Sequence, residues 1–331
     1  MKKRSLFLST ALLLVLSVVL AACGGGSGGG SSSDGEGNKE VDFIGIATGG
    51  TGGTYYPLGG TFAKIIEDET GIKSSASTSG ASAENMAAVK DGKTEIAFTQ
   101  TDIASYASEG TEMFKDNKVE NARGIATLYP ETIQIVTTKD SGIKSVEDLK
   151  GKVVSVGEAG SGTLLNATQI LEVHGIKLED LETRNLKFDD STTGIQDGTI
   201  DAAFITSGTP TGAVEALAAT ENIFIVPLES EKVSELIEKY PFYSEDEIPA
   251  GTYSKVDNAV TTVAVRAMLV TNADISEDVI YDVTKAIFEN TDQIKHAKGK
   301  LIKAEDGLKG MGIELHPGAK KYFDEKGISM E

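Results

Sequence analysis

The sequence predicts an α/β protein of two similar lobes, each an open parallel sheet flanked by helices. Three observations carry this. Short β-rich runs alternate with helical patterns along most of the chain. A strand that feeds a glycine-rich turn and then a helix occurs twice, through GGTGGT at 49–54 and GEAGSGT at 157–163. Residues 91–98 (DGKTEIAF) resemble residues 197–204 (DGTIDAAF), and both pairs of units are offset by 106 to 108 residues. The competing reading is coincidence between two ordinary strand-loop-helix units.

The elements follow in chain order. Residues 1–22 read as a lipoprotein signal peptide: Lys2, Lys3 and Arg4, a mostly apolar run over 6–20, then Leu20-Ala21-Ala22 before Cys23, the only cysteine. The run is shorter than the ~20 residues a membrane-spanning helix needs, which disfavours the alternative of a transmembrane anchor. Residues 23–40 are read as a lipidated Cys23 followed by a flexible Gly/Ser tether, with a random-coil reach of ~20–25 Å. The expected location is extracytoplasmic, lipid-anchored to the cell membrane.

Beyond the tether, a strand over 43–47 leads to a helix with Pro57 at its first position, Leu58, Phe62, Ile65 and Ile66 on one face and Gly71 past its end. A second helix places Leu164, Ala167, Ile170 and Leu171 on its apolar side and stops at Gly175. A third starts at Ser276 and buries Val279, Ile280, Val283, Ala286 and Ile287. Further strands are expected at 133–137, 224–227 and 260–271. In open sheets of this kind ligands bind beyond the carboxyl ends of the strands, where both glycine-rich loops lie.

Charge excludes several function classes. Without residues 1–22, which hold three basic and no acidic residues, 28 Lys and Arg face 50 Asp and Glu, a net charge of −22. Such a surface repels nucleic acid. With Cys23 lipidated, no thiol is left for a disulfide or a metal. The three histidines, His174, His296 and His316, show no metal-ligand spacing and no catalytic setting, and His174 suits a helix end. Asp189-Asp190 and Glu245-Asp246-Glu247 read as solvated loop charges. Residues 80–83 begin like a nucleophile elbow, but Glu84 stands where the last glycine belongs. Neither glycine-rich loop has a nucleotide-binding spacing. No cofactor, no metal and no catalysis are therefore expected.

What the two loops suit is an anion. Glycines let successive amides converge at a helix N-terminus, which carries about half a positive charge. Ser161 and Thr163 either add donors to that cradle or simply cap the helix.

Residues 46–60 (IATGGTGGTYYPLGG) resemble the opening of the TAXI-type solute receptors of TRAP transporters. The similarity continues through 77–85, 96–102, Tyr129-Pro130-Glu131, 148–157, 160–163, 248–253 and 316–319; Gly157-Glu158-Ala159 departs from it, where prolines are usual. The resemblance implies a periplasmic-binding-protein fold of type II, with lobe one at 41–131 and 269–331 and lobe two at 132–268. It implies an extracytoplasmic receptor that is a monomer, closes on a small carboxylate such as glutamate, glutamine or 2-oxoglutarate, and hands it to TRAP membrane subunits. An ABC-importer receptor for a small organic anion and a non-transport surface lipoprotein are the alternatives. With only Arg123, Arg184 and Arg266 left after the signal, amides, hydroxyls and Gln must bind the acid. The expected ligand contacts are Thr51, Gly52 and Tyr55, with Ser82 and Gln100, in lobe one, and Ser161, Gly162 and Thr163 in lobe two. Glu131 is expected to accept from a ligand amine; Ser207 and Thr209 are weaker candidates.

Overall fold

The computed structural model describes residues 39–330. The signal peptide, Cys23 and the start of the tether lie outside the described residues. The first lobe begins with β1 (Phe43–Ala47), α1 (Tyr55–Thr70), β2 (Lys73–Ser77), α2 (Ser82–Lys90), β3 (Ile96–Gln100) and α3 (Thr101–Glu109). The chain leaves through the long strand β4 (Ala122–Thr138) and builds β5 (Val153–Ser155), α4 (Gly162–Val173), β6 (Glu182–Arg184), α5 (Phe188–Gln196) and β7 (Ala202–Ser207). Then come α6 (Gly212–Thr220), β8 (Ile223–Val226), α7 (Ser230–Lys239) and β9 (Ser244–Ile248). It returns through β10 (Val260–Asn272) to α8 (Glu277–Glu289) and α9 (Pro317–Glu325).

Both lobes repeat one βαβαβ plan. The strand order runs β2-β1-β3-β10 on one side and β4-β7-β5-β6 on the other, with β1, β2 and β3 parallel to one another, as are β5, β6 and β7. The resemblance between 91–98 and 197–204 has a structural cause. Each segment turns from helix to strand through a glycine at positive φ, Gly92 (64°) and Gly198 (70°), where a Cβ would be strained. Each then aims a carboxylate at the neighbouring strand: Gly45 N–H donates to Glu95 Oε2 at 2.9 Å and Val153 N–H to Asp201 Oδ2 at 2.8 Å.

The lobes are joined by β4 and β10, which lie antiparallel and pass from one core to the other. Residues Ala122 to Thr132 of β4 pair with β10, and Thr132 to Thr138 pair with β7 and β8. Along β10, Val260 to Ala264 pair with β9 and Ala267 to Thr271 with β3. The apolar core changes over at the same place. Ile44, Leu58, Phe62, Phe98, Tyr129 and Leu269 share one cluster; Ile133, Val154, Ile170, Phe204 and Val263 share another, and Val136, Ile205, Val214 and Leu217 form a third. Each such buried side chain contributes ~1.5–3 kcal/mol.

Several local expectations are corrected. The first helix starts at Tyr55, so Pro57 is its third residue and not its first. The strand expected at 133–137 is the end of a 17-residue strand that runs straight through Pro130. Proline lacks a ladder donor, yet here it sits at a bulge: Arg266 opposes Pro130 while Met268 opposes Thr127, so β4 carries one residue more than β10. Glu245, Asp246 and Glu247 belong to β9, whose charges suit an edge strand, and Asp189 and Asp190 open α5.

Candidate functional site: a cavity closed between the lobes

The helix N-termini that follow β1, β3 and β5 converge on a cavity between the lobes. Gly49, Gly53, Thr54, Tyr55, Ser82, Gln100 and Glu131 line it from lobe one; Glu158, Ser161, Gly162, Thr163, Phe188, Thr206 and Ser207 line it from lobe two. Its free volume is about 40 Å³, room for about three waters.

Direct hydrogen bonds close it. The Gly160 carbonyl of lobe two accepts from the Ala83 and Glu84 amides at 2.9 and 3.1 Å, the start of α2 in lobe one. Ala213 N–H donates to the Gly52 carbonyl at 3.1 Å, and Ser207 Oγ lies 3.2 Å from Thr54 N and 2.9 Å from Thr54 Oγ1. Leu165 of α4 is buried within the first-lobe core cluster. At the centre, Asn166 of α4 uses its whole amide. Its Nδ2 donates to Asp102 Oδ2 (3.0 Å) and Tyr243 Oη (2.9 Å), while its Oδ1 accepts from Gln100 Nε2 (3.2 Å) and Thr206 Oγ1 (3.1 Å).

That network fixes what the cavity wall offers. Because the Asp102 carboxylate can only accept, Asn166 must present Oδ1 to Gln100, and Gln100 must present Nε2 in return. Gln100 Oε1 is left buried without a partner among the described residues, an acceptor that costs free energy until a donor arrives. Beside it, Glu131 is 2 % exposed at the crossing of the lobes. Burial is the main cause that pushes its carboxyl up to about 8. Geometry agrees: Tyr55 Oη lies 2.6 Å from Glu131 Oε2 and 2.9 Å from the Thr99 carbonyl, and one phenolic proton cannot serve both. A protonated Glu131 donating to Tyr55, which donates to Thr99, satisfies all three. Burial also raises Asp102, to about 6, and lowers Lys298, whose Nζ donates to Thr209 Oγ1 at 3.2 Å.

Of the sequence candidates, Tyr55, Ser82, Gln100, Glu131, Ser161, Gly162, Thr163 and Ser207 are brought together in the cavity wall. Thr51, Gly52 and Thr209 stand outside it. Thr51 Oγ1 donates to Asp189 Oδ2 at 2.9 Å, the Gly52 carbonyl takes the Ala213 amide, and Thr209 faces Lys298. These three serve contact between the lobes. Tyr55 stacks on Phe98 at 4.9 Å and also lines the cavity, whereas Tyr56 is 39 % exposed on the outer face of α1.

The choice left open for Ser161 is resolved. Its Oγ accepts from Leu164 N at 3.3 Å and donates to the Glu158 carbonyl at 2.7 Å, so it caps α4 and has no proton to spare. The first-turn amides of Gly162 and Thr163 have no acceptor inside the helix and remain as donors. Ser161→Ala is expected to lower unfolding free energy by ~1 kcal/mol, read from a denaturant midpoint, while solute affinity stays within a few-fold.

Sequence reading missed Thr54, Glu158, Phe188 and Thr206 in the wall, and Asp102 and Asn166 behind it. Thr54 and Glu158 were within reach, since each lies in a glycine-rich loop already singled out. Asn166 carried no signal, because one amide in an amphipathic helix is commonplace until its four partners are seen.

Comparison with known proteins agrees with this architecture. Residues 46–327 match the NMT1-like family. A protein of Bordetella bronchiseptica RB50 has a structure similar to this one at a TM-score of 0.53, with 19 % identity over 86 % of this chain and 82 % of that one. PhnD1 of Prochlorococcus marinus MIT 9301, solved in complex with methylphosphonate, is similar at 0.51, with 12 % identity over 86 % of this chain and 96 % of that one. The periplasmic aliphatic sulphonate binding protein SsuA of Escherichia coli gives 0.44, with 16 % identity over 86 % and 84 %. The fold is the two-lobed α/β fold of periplasmic solute-binding proteins.

Proposed function

The chain belongs to the NMT1-like family, and from that premise we propose that it is an extracytoplasmic receptor that captures a small solute by lobe closure and delivers it to a membrane importer. In this reading lobe one comprises 41–131 and 269–331, lobe two 132–268, and Cys23 anchors a monomer to the membrane by lipid. The observation that carries it is the closed cavity, walled by both lobes and held shut by hydrogen bonds between them.

The chemistry of the wall favours a solute with a carboxylate at one end and N–H donors at the other, the glutamate or glutamine class. The carboxylate fits the first-turn amides of α1 and α4 with the Thr163 hydroxyl. The N–H donors fit Gln100 Oε1, which has no partner among the described residues, and Glu131 once it ionises. The importer we favour is of the ABC kind, in keeping with the family and with the fold shared with PhnD1. A TRAP permease is the second reading, favoured by the motifs at 46–60 and 160–163.

A thermal-shift screen tests the receptor reading, with a dye or calorimetry because the chain has no Trp. An amino-acid solute at a hundred times its Kd is expected to add ~2.7 kcal/mol to unfolding and raise the Tm accordingly. Simple sulfonates and phosphonates, which lack N–H donors, are expected to shift it less. If no amino acid, carboxylate, sulfonate or phosphonate moves the Tm, solute capture is wrong and a surface lipoprotein with a protein partner takes its place.

A further inference from the structure

The far end of α4 from the cavity carries a second cluster. Glu147, in a single 3-10 turn, His174, which caps the C-terminus of α4, and Glu229, which precedes α7, each bring one ligand atom to within 4.8 Å of the others. They are 27 and 55 residues apart in the sequence, so no spacing motif betrays them. We propose that these three side chains bind a first-row divalent cation of the zinc class on lobe two.

The imidazole is prepared for it. His174 Nδ1 lies 2.7 Å from the Ile170 carbonyl, a contact that requires the proton on Nδ1 and leaves the Nε2 lone pair free. A backbone carbonyl behind the second ring nitrogen is the arrangement that fixes tautomer and orientation in metal-bound histidines. Glu229 stands at the N-cap of α7 but makes no capping bond, so its carboxylate is not spent on the helix. One nitrogen and two carboxylate oxygens, with water completing the shell, suit zinc better than calcium or magnesium, which prefer all-oxygen shells. The C-terminal end of α4 favours a cation there through its dipole. Lys232 is the nearby competing charge; its Nζ is engaged by the Val173 carbonyl and by Glu235 Oε2. All three ligands lie on lobe two, so the ion would tie α4 to its neighbours without bridging the cleft.

The test uses the full chain in detergent, stripped with chelator and titrated with zinc chloride against a chromophoric competitor. One zinc per chain is expected at micromolar affinity, with magnesium and calcium failing to displace it. His174→Asn retains a donor for the Ile170 carbonyl but removes Nε2, and is expected to weaken zinc binding at least tenfold. Glu147→Gln, at an exposed position, is expected to do the same without disturbing the fold, and His296→Asn to leave it unchanged. Absence of zinc binding by the unmodified chain, or retention of affinity by both His174→Asn and Glu147→Gln, overturns the site.

Discussion

Gly162→Ala is expected to abolish solute capture while both lobes remain folded. A Cβ on Gly162 would stand 1.4 Å from Gln100 Oε1, 2.5 Å from Gln100 Cδ and 3.0 Å from Ile103 Cγ1. The first two distances are impossible, and the clash lies across the cleft. Gly162 itself is the first residue of α4 and has no positive φ, so alanine suits its own helix. Relief can come in two ways. Either the lobes stay apart, or Gln100 swings away, breaks its bond to Asn166 and enters the cavity. Both remove the closed space between the lobes. A hundredfold or greater loss of affinity by calorimetry, with a near-normal solute-free melting temperature and a radius of gyration that no longer contracts on adding solute, is the expected pattern. Gly52→Ala is the instructive contrast. Its Cβ would meet the Asp189 carboxylate at 2.2 Å, but Asp189 is a side-chain tip near the surface that can turn aside, so the loss there is expected to be about tenfold or less. Equal, small effects of the two substitutions would mean that the cleft does not need to close to bind.

How far the sequence foretold this site depends on the physics behind each residue. Periodicity and glycine punctuation are local, so two α/β lobes of similar βαβ construction and the position of both glycine-rich loops were legible, down to the paired turns at Gly92 and Gly198. The long strand β4 was not, because Pro130 ordinarily ends a ladder and only the bulge opposite β10 excuses it. Within the loops, composition announces converging amides but not what faces them. That is why Thr51 and Gly52, chosen for an anion, turn out to hold Asp189 and the Ala213 amide of the opposite lobe. Ser161 shows the same limit from the other side, since a helix cap and an anion donor have one sequence signature and differ only in where the proton goes. The character of Glu131 is the least local of all. It rests on two crossing strands and three buried neighbours, Tyr55, Tyr129 and Gln100, drawn from different parts of the chain.

That burial has a measurable consequence, and stability of the solute-free protein is expected to fall as pH rises from 7 to 8. Glu131 ionises at about 8 when folded, against 4.5 for an ordinary Glu. Between those values the native state holds a proton that the unfolded chain has released, so the stabilisation is complete below about 4.5 and is lost as pH climbs through 8. Asp102, raised to about 6, acts in the same direction and is nearly spent by about pH 7. His296 and His316, both lowered by burial, act the opposite way, because the unfolded imidazoles hold part of a proton around pH 6.5 and release most of it by about pH 7. Above about pH 7 the decline therefore comes mainly from Glu131, where one proton is worth at most ~1.4 kcal/mol per pH unit. Glu131→Gln keeps an N–H donor for Tyr55 and cannot ionise, so its melting temperature is expected to be nearly flat where the parent's declines by a few degrees. Parallel slopes for the two proteins would show that Glu131 is already ionised and that Tyr55 donates to it. The same proton reports on the solute. An ammonium group placed against Glu131 favours the carboxylate, so capture of an amino acid at pH 7 is expected to expel a proton and give a calorimetric enthalpy that changes with the ionisation heat of the buffer. A solute bearing only negative charge has no such effect, and Glu131→Gln is expected to erase the buffer dependence while leaving the carboxylate end of the site intact.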